Sequence, residues 1–321
     1  MAARIPVPDG RAPPPVVKWR PNPMCLRGLI AVVLAGWALA AGAQMRYVYP
    51  PPESANDHRT DYYWRLLGAA LQATESRWGP YEVVPSGVAM NSDRAQMLLT
   101  RSDTVTVIAR TTSTERESTL TPIRIPLDKG LTGYRLFLIQ KPLQERLRKV
   151  RTLDDLKAFP IGQKSQWVDV DILQAVGLQV VGALDYESLF RMLPAGRFDL
   201  LSRGVNEIYQ EWEVHRPDNP DLAIERSLLL YYPLPRYFFF APTPQGERLA
   251  QRVREGLERL QANKEFERLY QVYKREILSG LDLSGRRLLR IPNPQLPAQT
   301  PLGKAAYWDD LQAERSGPAA P

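Results

Sequence analysis

Apolar and polar positions alternate with two different spacings from residue 46 onward. Short extended runs are predicted as strands at residues 47–49 and 81–84, and a β-branched run is predicted as a buried strand at 104–109. Residues 62–73 have the three- and four-residue apolar spacing of a helix, and 93–99 are a second predicted helix. Strands that alternate with helices in this way predict an α/β sheet.

The middle of the chain repeats the alternation with its own set of elements. A strong strand is predicted at 133–139. Predicted helices at 152–157, 169–176 and 186–193 are interleaved with predicted strands at 160–162, 179–181 and 198–201. This stretch therefore has enough elements to form a separate lobe.

The last third changes character twice. Aromatic, extended runs at 227–232 and 237–241 precede a long amphipathic helical region, 246–273, which Gly256 is expected to interrupt. From residue 279 onward repeated prolines predict a tail that wraps the surface without regular structure.

The length of the chain and its first residues add an export signal to this picture. With 321 residues and 44% hydrophobic content, two domains of ordinary size are expected. A basic residue, Arg27, precedes an apolar run of about a dozen residues and then small residues, a pattern typical of a signal peptide cleaved before Gln44. The proline-rich segment 1–23 fits no such signal, so we interpret Met24 as the true start and 1–43 as a segment absent from a mature, periplasmic protein.

Charge and cysteine content exclude several classes of function. The formal charge of +7 falls to +3 without the five basic residues and one acidic residue before Gln44, and no dense basic run is present, so nucleic acid is not an expected partner. Cys25 lies before the apolar run, which leaves the mature chain without disulfides or thiol chemistry. With two histidines, His58 and His215, and no phosphate- or dinucleotide-binding glycine motif, neither a metal nor a cofactor is expected.

Four short motifs, in order, resemble those of the family 3 extracellular solute-binding proteins. They span residues 47 to about 277 and read Tyr49-Pro50-Pro51-Pro52-Glu53-Ser54, Thr112-Ser113-Thr114-Glu115-Arg116, Leu153-Asp154-Asp155-Leu156-Lys157 with Ile161-Gly162, and Gly196-Arg197-Phe198-Asp199. The resemblance implies a two-lobed α/β fold of the type II periplasmic binding proteins. In that fold each lobe is a mainly parallel sheet flanked by helices, and two strands form the hinge. It places lobe one at 46–132 plus 232–278, lobe two at 133–231, and the tail at 279–321.

The resemblance also assigns ligand contacts in lobe one. Arg116 matches the family's carboxylate clamp, since a guanidinium gives two parallel hydrogen bonds to a carboxylate, and Thr112 and Ser113 add hydroxyl groups. Tyr49 matches the aromatic residue that stacks on the ligand. The alternatives are that Tyr49 only packs beside its proline neighbours and that Arg116 forms a surface ion pair with an adjacent glutamate.

Lobe two contributes candidates from two places. Ser165, Gln166 and Trp167 follow a predicted strand and precede a helix, so they are expected to face the cleft, although Trp167 would also suit the core. Arg203 departs from the family, because amino-acid binders carry an aspartate near this position that neutralises the ligand's ammonium. A ligand with excess negative charge, or a neutral polar ligand, therefore becomes more credible than a common amino acid, unless Glu207 supplies the missing carboxylate.

The functional expectation is binding without catalysis. A monomeric periplasmic protein would bind a small polar, carboxylate-bearing solute and deliver it to an ABC permease or a membrane sensor. One alternative is a dehydratase-like enzyme on the same fold, with Glu207 as general acid. Another is a structural envelope protein with a filled cleft, which internal ion pairs of Arg116 and Arg203 would favour.

Overall fold

The computed structural model describes residues 44–52 and 59–317. Its strands are β1 Met45–Tyr49, β2 Tyr81–Pro85, β3 Ile108–Thr111, β4 Thr121–Ile123, β5 Tyr134–Gln140, β6 Ile161–Lys164, β7 Val180–Ala183, β8 Leu200–Gly204, β9 Leu222–Ile224, β10 Leu228–Tyr231, β11 Arg236–Phe240 and β12 Arg287–Arg290. Its α-helices are α1 Asp61–Gln72, α2 Glu75–Trp78, α3 Ser92–Arg101, α4 Thr114–Thr119, α5 Gln144–Leu147, α6 Leu153–Leu156, α7 Asp169–Ala175, α8 Tyr186–Met192, α9 Ile208–His215, α10 Pro244–Ala262, α11 Glu265–Leu278 and α12 Gln312–Ser316. Short 3₁₀ turns lie at Leu131–Gly133, Lys141–Leu143 and Ala305–Tyr307.

One body of the fold contains two small sheets. Strands β1 and β2 pair in parallel, whereas β11 lies between β3 and β4 and runs antiparallel to both. Helix α10 packs against α1 across a fully buried core that includes Leu66 and Leu257. A Cβ atom on Gly256 would lie 2.1 Å from the carbonyl oxygen of Ala70, so only glycine allows this close approach of the two helices.

The other body is built on one seven-stranded sheet. The strand order is β12-β10-β5-β8-β6-β7, and β9 pairs with the far end of β5. Strands β6, β7 and β8 are parallel to one another, as expected for this lobe, but β5 runs antiparallel to β8, β9 and β10. The sheet is therefore mixed, because β5 enters it from the opposite direction.

The two bodies are joined where two chain segments cross side by side. The chain enters β5 after the turn Leu131–Gly133 and returns between β10 and β11. The amide of Tyr232 donates to the carbonyl of Gly133 at 3.2 Å, and a Cβ atom on Gly133 would lie 2.2 Å from the carbonyl oxygen of Tyr232. The crossings lie beside the expected boundaries at 132/133 and 231/232, and we retain that division as a proposed domain assignment.

The long helical region of the last third differs in detail from the expectation. Gly256 does not interrupt it; the break lies at Lys264, where φ is 65° and the chain turns from α10 into α11. Lys264 adopts the left-handed conformation that ends helical continuity.

The C-terminal segment is more regular than the prolines predicted. Strand β12 pairs in parallel with β10 and extends the large sheet, while α12 lies near the end of the described chain. Between them Asp309 accepts hydrogen bonds from Tyr270 (2.6 Å) and Lys274 (2.8 Å) of α11. The segment therefore contacts both bodies.

The expected signal peptide, Cys25 and His58 lie outside the described residues. Among the helices that the structure describes, none combines the length and the apolar character needed to span a bilayer.

Candidate functional site

A cavity of about 150 Å³ lies between the two bodies, and edges of the seven-stranded sheet and of the three-stranded sheet β3-β11-β4 supply side chains to it. Among the residues that the structure describes, six arginines line it, against two carboxylates, Asp169 and Glu207; the arginines are Arg59, Arg110, Arg116, Arg135, Arg203 and Arg236. Such an excess of guanidinium groups gives the cavity a positive potential.

Sheet geometry explains why these residues meet. In the large sheet the carboxyl ends of the parallel strands β6 and β8 share an edge with the start of the antiparallel strand β5, where Arg135 pairs with Gly204. In the small sheet the end of β3 meets the start of β11, where Thr111 pairs with Arg236. The two edges face the same cavity, as is usual for ligand sites in α/β folds.

Arg116 lies in the cavity wall, near the start of α4. Its guanidinium donates to the Gln96 side chain (Nε to Oε1, 2.9 Å) and, through Nη1, to the carbonyl of Thr111. No carboxylate of the described residues lies within ion-pair distance of it. Burial, together with the like charge of Arg236, lowers the pKa of Arg116 to about 10. The site therefore holds a half-buried cation whose environment disfavours its charge.

Arg236 is another half-buried guanidinium of the cavity wall, and sequence reasoning missed it. Its Nη1 donates to the carbonyl of Ala109 at 3.2 Å, its guanidinium lies 5.0 Å from the ring centre of Tyr63, and its Nε has no hydrogen-bond acceptor. Burial opposes the charge on Arg236, but Tyr63 and Glu207 among its neighbours outweigh burial and raise its pKa. No carboxylate in the described ranges is close enough to form an ion pair with it.

Arg203 is arranged differently, because internal carboxylates neutralise it. Glu211 accepts two hydrogen bonds from its guanidinium, each at 2.6 Å, and Glu207 lies 3.0 Å from Nη2. The guanidinium also lies 4.5 Å from the ring centre of Trp167. This buried group, Arg203 with Glu207 and Glu211, is here termed the Arg203 triad.

Glu207 is held in its ionised form. Burial alone would raise the pKa of Glu207, but four guanidinium groups, led by Arg203 and Arg135, outweigh burial and lower it to about 2. The carboxylate also accepts a hydrogen bond from the amide of Gly204 at 3.3 Å. It is therefore a fixed anion at the wall of the cavity.

Asp169 and Arg135 form a second buried pair that the sequence did not indicate. Their side chains are 3.2 Å apart, and the hydroxyl of Tyr232 donates to Asp169 at 2.5 Å. Arg135 also donates to the carbonyl groups of Thr132 and Ser202, both at 3.1 Å. A charged residue inside the apolar run of β5 is the sequence signal that would have pointed to this pair.

Four of the predicted site residues lie outside the cavity lining. Thr112 is fully buried and donates to Glu117 at 2.5 Å, and Ser113 caps α4 by accepting from the amide of Arg116 at 3.1 Å. Ser165 donates to the carbonyl of Ala183 at 3.1 Å. The hydroxyl groups of these three residues thus serve the backbone or a neighbouring acid; the fourth residue, Tyr49, packs behind another aromatic ring.

That ring belongs to Trp64, a lining residue that sequence reasoning missed. Tyr49 stacks on it with ring centres 4.5 Å apart and planes at 21°. Trp167 and Gln166, both predicted, do line the cavity. Trp64 and Trp167 therefore supply large apolar surfaces to the cavity, and Trp64 stands between Tyr49 and the cavity lining.

No group of three or more histidine, cysteine, aspartate or glutamate side chains within residues 44–52 and 59–317 is arranged to hold a metal ion.

Comparison with solved structures identifies the fold. A periplasmic binding protein of Salmonella typhimurium, described for its high arginine specificity, matches with a TM-score of 0.51, 15% identity, 72% of this chain and 99% of that chain. The chain has the fold of the periplasmic binding proteins. An amino acid ABC transporter substrate-binding protein from Streptococcus pneumoniae, bound to L-arginine, matches with a TM-score of 0.50, 16% identity, 76% of this chain and 98% of that chain.

A third structure with the periplasmic-binding-protein fold broadens the comparison. An ancestral arginine-binding protein bound to glutamine has a TM-score of 0.50 and 15% identity, over 72% of this chain and 98% of that chain. No protein-family model matches the chain, and the search of curated proteins found no match. The likeness therefore concerns the two-lobed fold alone.

Proposed function

We propose that this protein is a periplasmic solute-binding protein that closes its two lobes on a small anionic solute bearing a carboxylate. The single observation that carries the proposal is the half-buried guanidinium of Arg116, which faces the cavity without a carboxylate partner among the described residues. A carboxylate ligand would supply the missing counter-charge through two charge-assisted hydrogen bonds.

A ligand favours the closed form only as far as it binds that form more tightly than the open form. Closure therefore requires that both lobes contact the ligand or each other. The cavity meets this requirement, since Arg116 and Arg236 belong to one body and Trp167 and Arg203 to the other. Direct contacts between the bodies support the same motion. Lys164 of β6 lies 3.4 Å from Asp93 of α3.

The enzyme alternative receives little support from Glu207. A general acid needs a pKa near the working pH, whereas the surrounding guanidinium groups lower the pKa of Glu207 to about 2. The carboxylate therefore has no proton to donate at neutral pH, and we propose binding without turnover.

A purely structural role would be favoured by internal ion pairs of both Arg116 and Arg203, and only one of these two conditions is met. Arg203 is neutralised internally by the Arg203 triad, but Arg116 is not, and the space in front of Arg116 is open. An arginine that served structure alone would be expected to have its own buried acid.

A comparison of two arginine variants tests the proposal. Calorimetric titration with a panel of small carboxylates should give saturable binding that Arg116→Gln weakens by about tenfold or more, the effect of losing a charge-assisted bidentate contact. Arg101→Gln, an exposed arginine of α3 in the same lobe, is the matched control and should bind like the parent. Absence of binding across the panel, or equal binding by both variants, would contradict the proposal.

The cellular role rests on the export signal and on the fold. We propose export to the periplasm with cleavage before Gln44, and delivery of the solute as a monomer to an ABC permease or a membrane sensor. N-terminal sequencing of the protein isolated from its host tests the cleavage position; a first residue other than Gln44 would contradict it.

A further inference from the structure

The two carboxylates that line the cavity within the described part of the chain are already engaged. Asp169 is paired with Arg135 at 3.2 Å, and Glu207 with Arg203 at 3.0 Å. Behind them Glu211 accepts two hydrogen bonds from Arg203. A ligand ammonium that entered this space would lose its water and find no free counter-charge among the residues that the structure describes, which is strongly unfavourable. The cavity therefore selects against α-amino acids.

The guanidinium groups, by contrast, are not all engaged. Arg116 and Arg236 flank the end of β3: Arg116 donates to the carbonyl of Thr111, the residue that pairs with Arg236 across the ladder. Neither has an ion-pair partner among the residues described, and the Nε of Arg236 has no acceptor. Two adjacent unpaired cations call for two negative charges on the ligand.

The size of the cavity limits what can supply those charges. A volume of about 150 Å³ is close to that of an engineered protein cavity that holds benzene, so the cavity accommodates a ligand of on the order of six to ten non-hydrogen atoms. A single inorganic oxyanion would leave part of this space empty. A short organic acid with a carboxylate at each end matches this volume and offers one carboxylate for each guanidinium.

We infer that the ligand is a small dicarboxylate without an ammonium group, bound by Arg116 and Arg236, and that the Arg203 triad excludes α-amino acids. This inference rests on the proposed anion-binding function and names its ligand class. Arg236 is then a specificity-determining contact, because it distinguishes a dianion from a monoanion.

Calorimetric titration of the full protein with matched ligands tests the ligand class. Succinate, L-glutamate, propionate, L-arginine and sulfate separate the number of carboxylates from the presence of an ammonium. Succinate should bind at least about tenfold more tightly than any of the other four, since each lacks a carboxylate or carries an unpaired ammonium. Glutamate or arginine binding as tightly as succinate overturns the inference, and so does binding of sulfate alone.

The Arg236→Gln variant tests the second contact. Its affinity for succinate should fall by about tenfold or more, while its affinity for propionate should change by less than about threefold, because propionate needs only one clamp. Arg236→Lys, which keeps the charge, should restore part of the succinate affinity. Equal losses for both ligands overturn the assignment of Arg236, and a thermal melt of each variant verifies folding.

The outcomes separate this inference from the function beneath it. If no carboxylate binds at any concentration tested, the proposed function fails, and the inference fails with it. If carboxylates bind but L-glutamate binds best, the proposed function stands and only the dicarboxylate assignment is lost; if L-arginine binds best, the anionic solute is lost as well.

Discussion

Asp93 of α3 and Lys164 of β6 form an ion pair across the two bodies, with Oδ2 and Nζ 3.4 Å apart. Lys164 is largely buried, whereas 45% of the Asp93 side chain is exposed. Asp93 also lies 4.0 Å from Arg110 at the rim of the cavity. Asp93 therefore lies next to a cationic residue of the cavity and also forms a contact between the lobes.

Replacing Lys164 with methionine should weaken ligand binding modestly. The pair can form only when the lobes are together, so its loss disfavours the closed state. Because Asp93 is half exposed, the effect should be about two- to fivefold in Kd, within the range of partly solvated ion pairs. Lys157→Met, which removes a surface pair with Asp154 inside one lobe, is the control. Identical Kd values for the two variants would show that the Asp93–Lys164 pair does not stabilise closure.

The Arg203 triad should be a major contributor to stability. Glu211→Gln leaves the buried guanidinium of Arg203 with one carboxylate instead of two, and breaking buried pairs of this kind costs roughly 3–5 kcal/mol. Glu213→Gln, two residues away on α9, removes only an exposed pair with Arg216 and should cost less than about 1 kcal/mol. Urea denaturation measures both free energies of unfolding; similar values for the two variants would refute the role assigned to the triad.

The depressed pKa of Glu207 predicts a specific response to acid. Its pKa in the folded protein is about 2, below the ordinary 4.5, so ionised Glu207 stabilises the fold fully above about pH 4.5. That contribution is lost as the pH falls from 4.5 towards 2. Glu207→Gln should therefore be less stable than the parent at pH 6, and the difference in Tm should narrow below pH 4.5. A difference that stays constant down to pH 2.5 would be inconsistent with an ionised Glu207.

The C-terminal segment should stabilise the body that contains α11. Asp309 accepts from Tyr270 and Lys274 through Oδ2 and from the amide of Leu311 through Oδ1 (2.8 Å). Asp309→Asn should lower the free energy of unfolding by about 1–3 kcal/mol, the cost of disrupting partly buried bonds to a charged group. Asp310→Asn, the control, affects only an exposed turn and should change the free energy of unfolding little. Equal stability of the two variants would show that the segment contributes nothing through Asp309.

Local sequence patterns predicted most elements because their signals are local. Helices such as α1 and α7 and strands such as β5 follow from apolar spacing over a few residues. The predicted strand 104–109 begins too early, since Thr106 and Val107 donate to the carbonyl of Val48 without forming a ladder, and β3 starts at Ile108. That boundary depends on a distant backbone, which a window of sequence does not contain.

Some of the candidate site residues could likewise be predicted from local sequence, and others could not. Arg116 could be found because it closes a recognisable motif, and Trp167 because it follows a strand that ends at the cleft. Arg236 and Arg135 were missed, because each belongs to a strand of aromatic or aliphatic residues, a pattern that indicates core packing and not a binding site.

The neutralisation of Arg203 was also beyond the sequence. It depends on how the chain turns between β8 and α9 and so brings Glu207 and Glu211 back onto the guanidinium. Only the positions of the partner side chains in space distinguish a ligand contact from an internal ion pair.

A crystal structure grown with the tightest-binding carboxylate is the most direct test of the central claim. We expect the ligand inside the cavity, with one carboxylate within hydrogen-bond distance of the Arg116 guanidinium and with contacts from both lobes. A ligand bound outside the cavity, or held by one lobe with Arg116 turned away from it, would contradict the account.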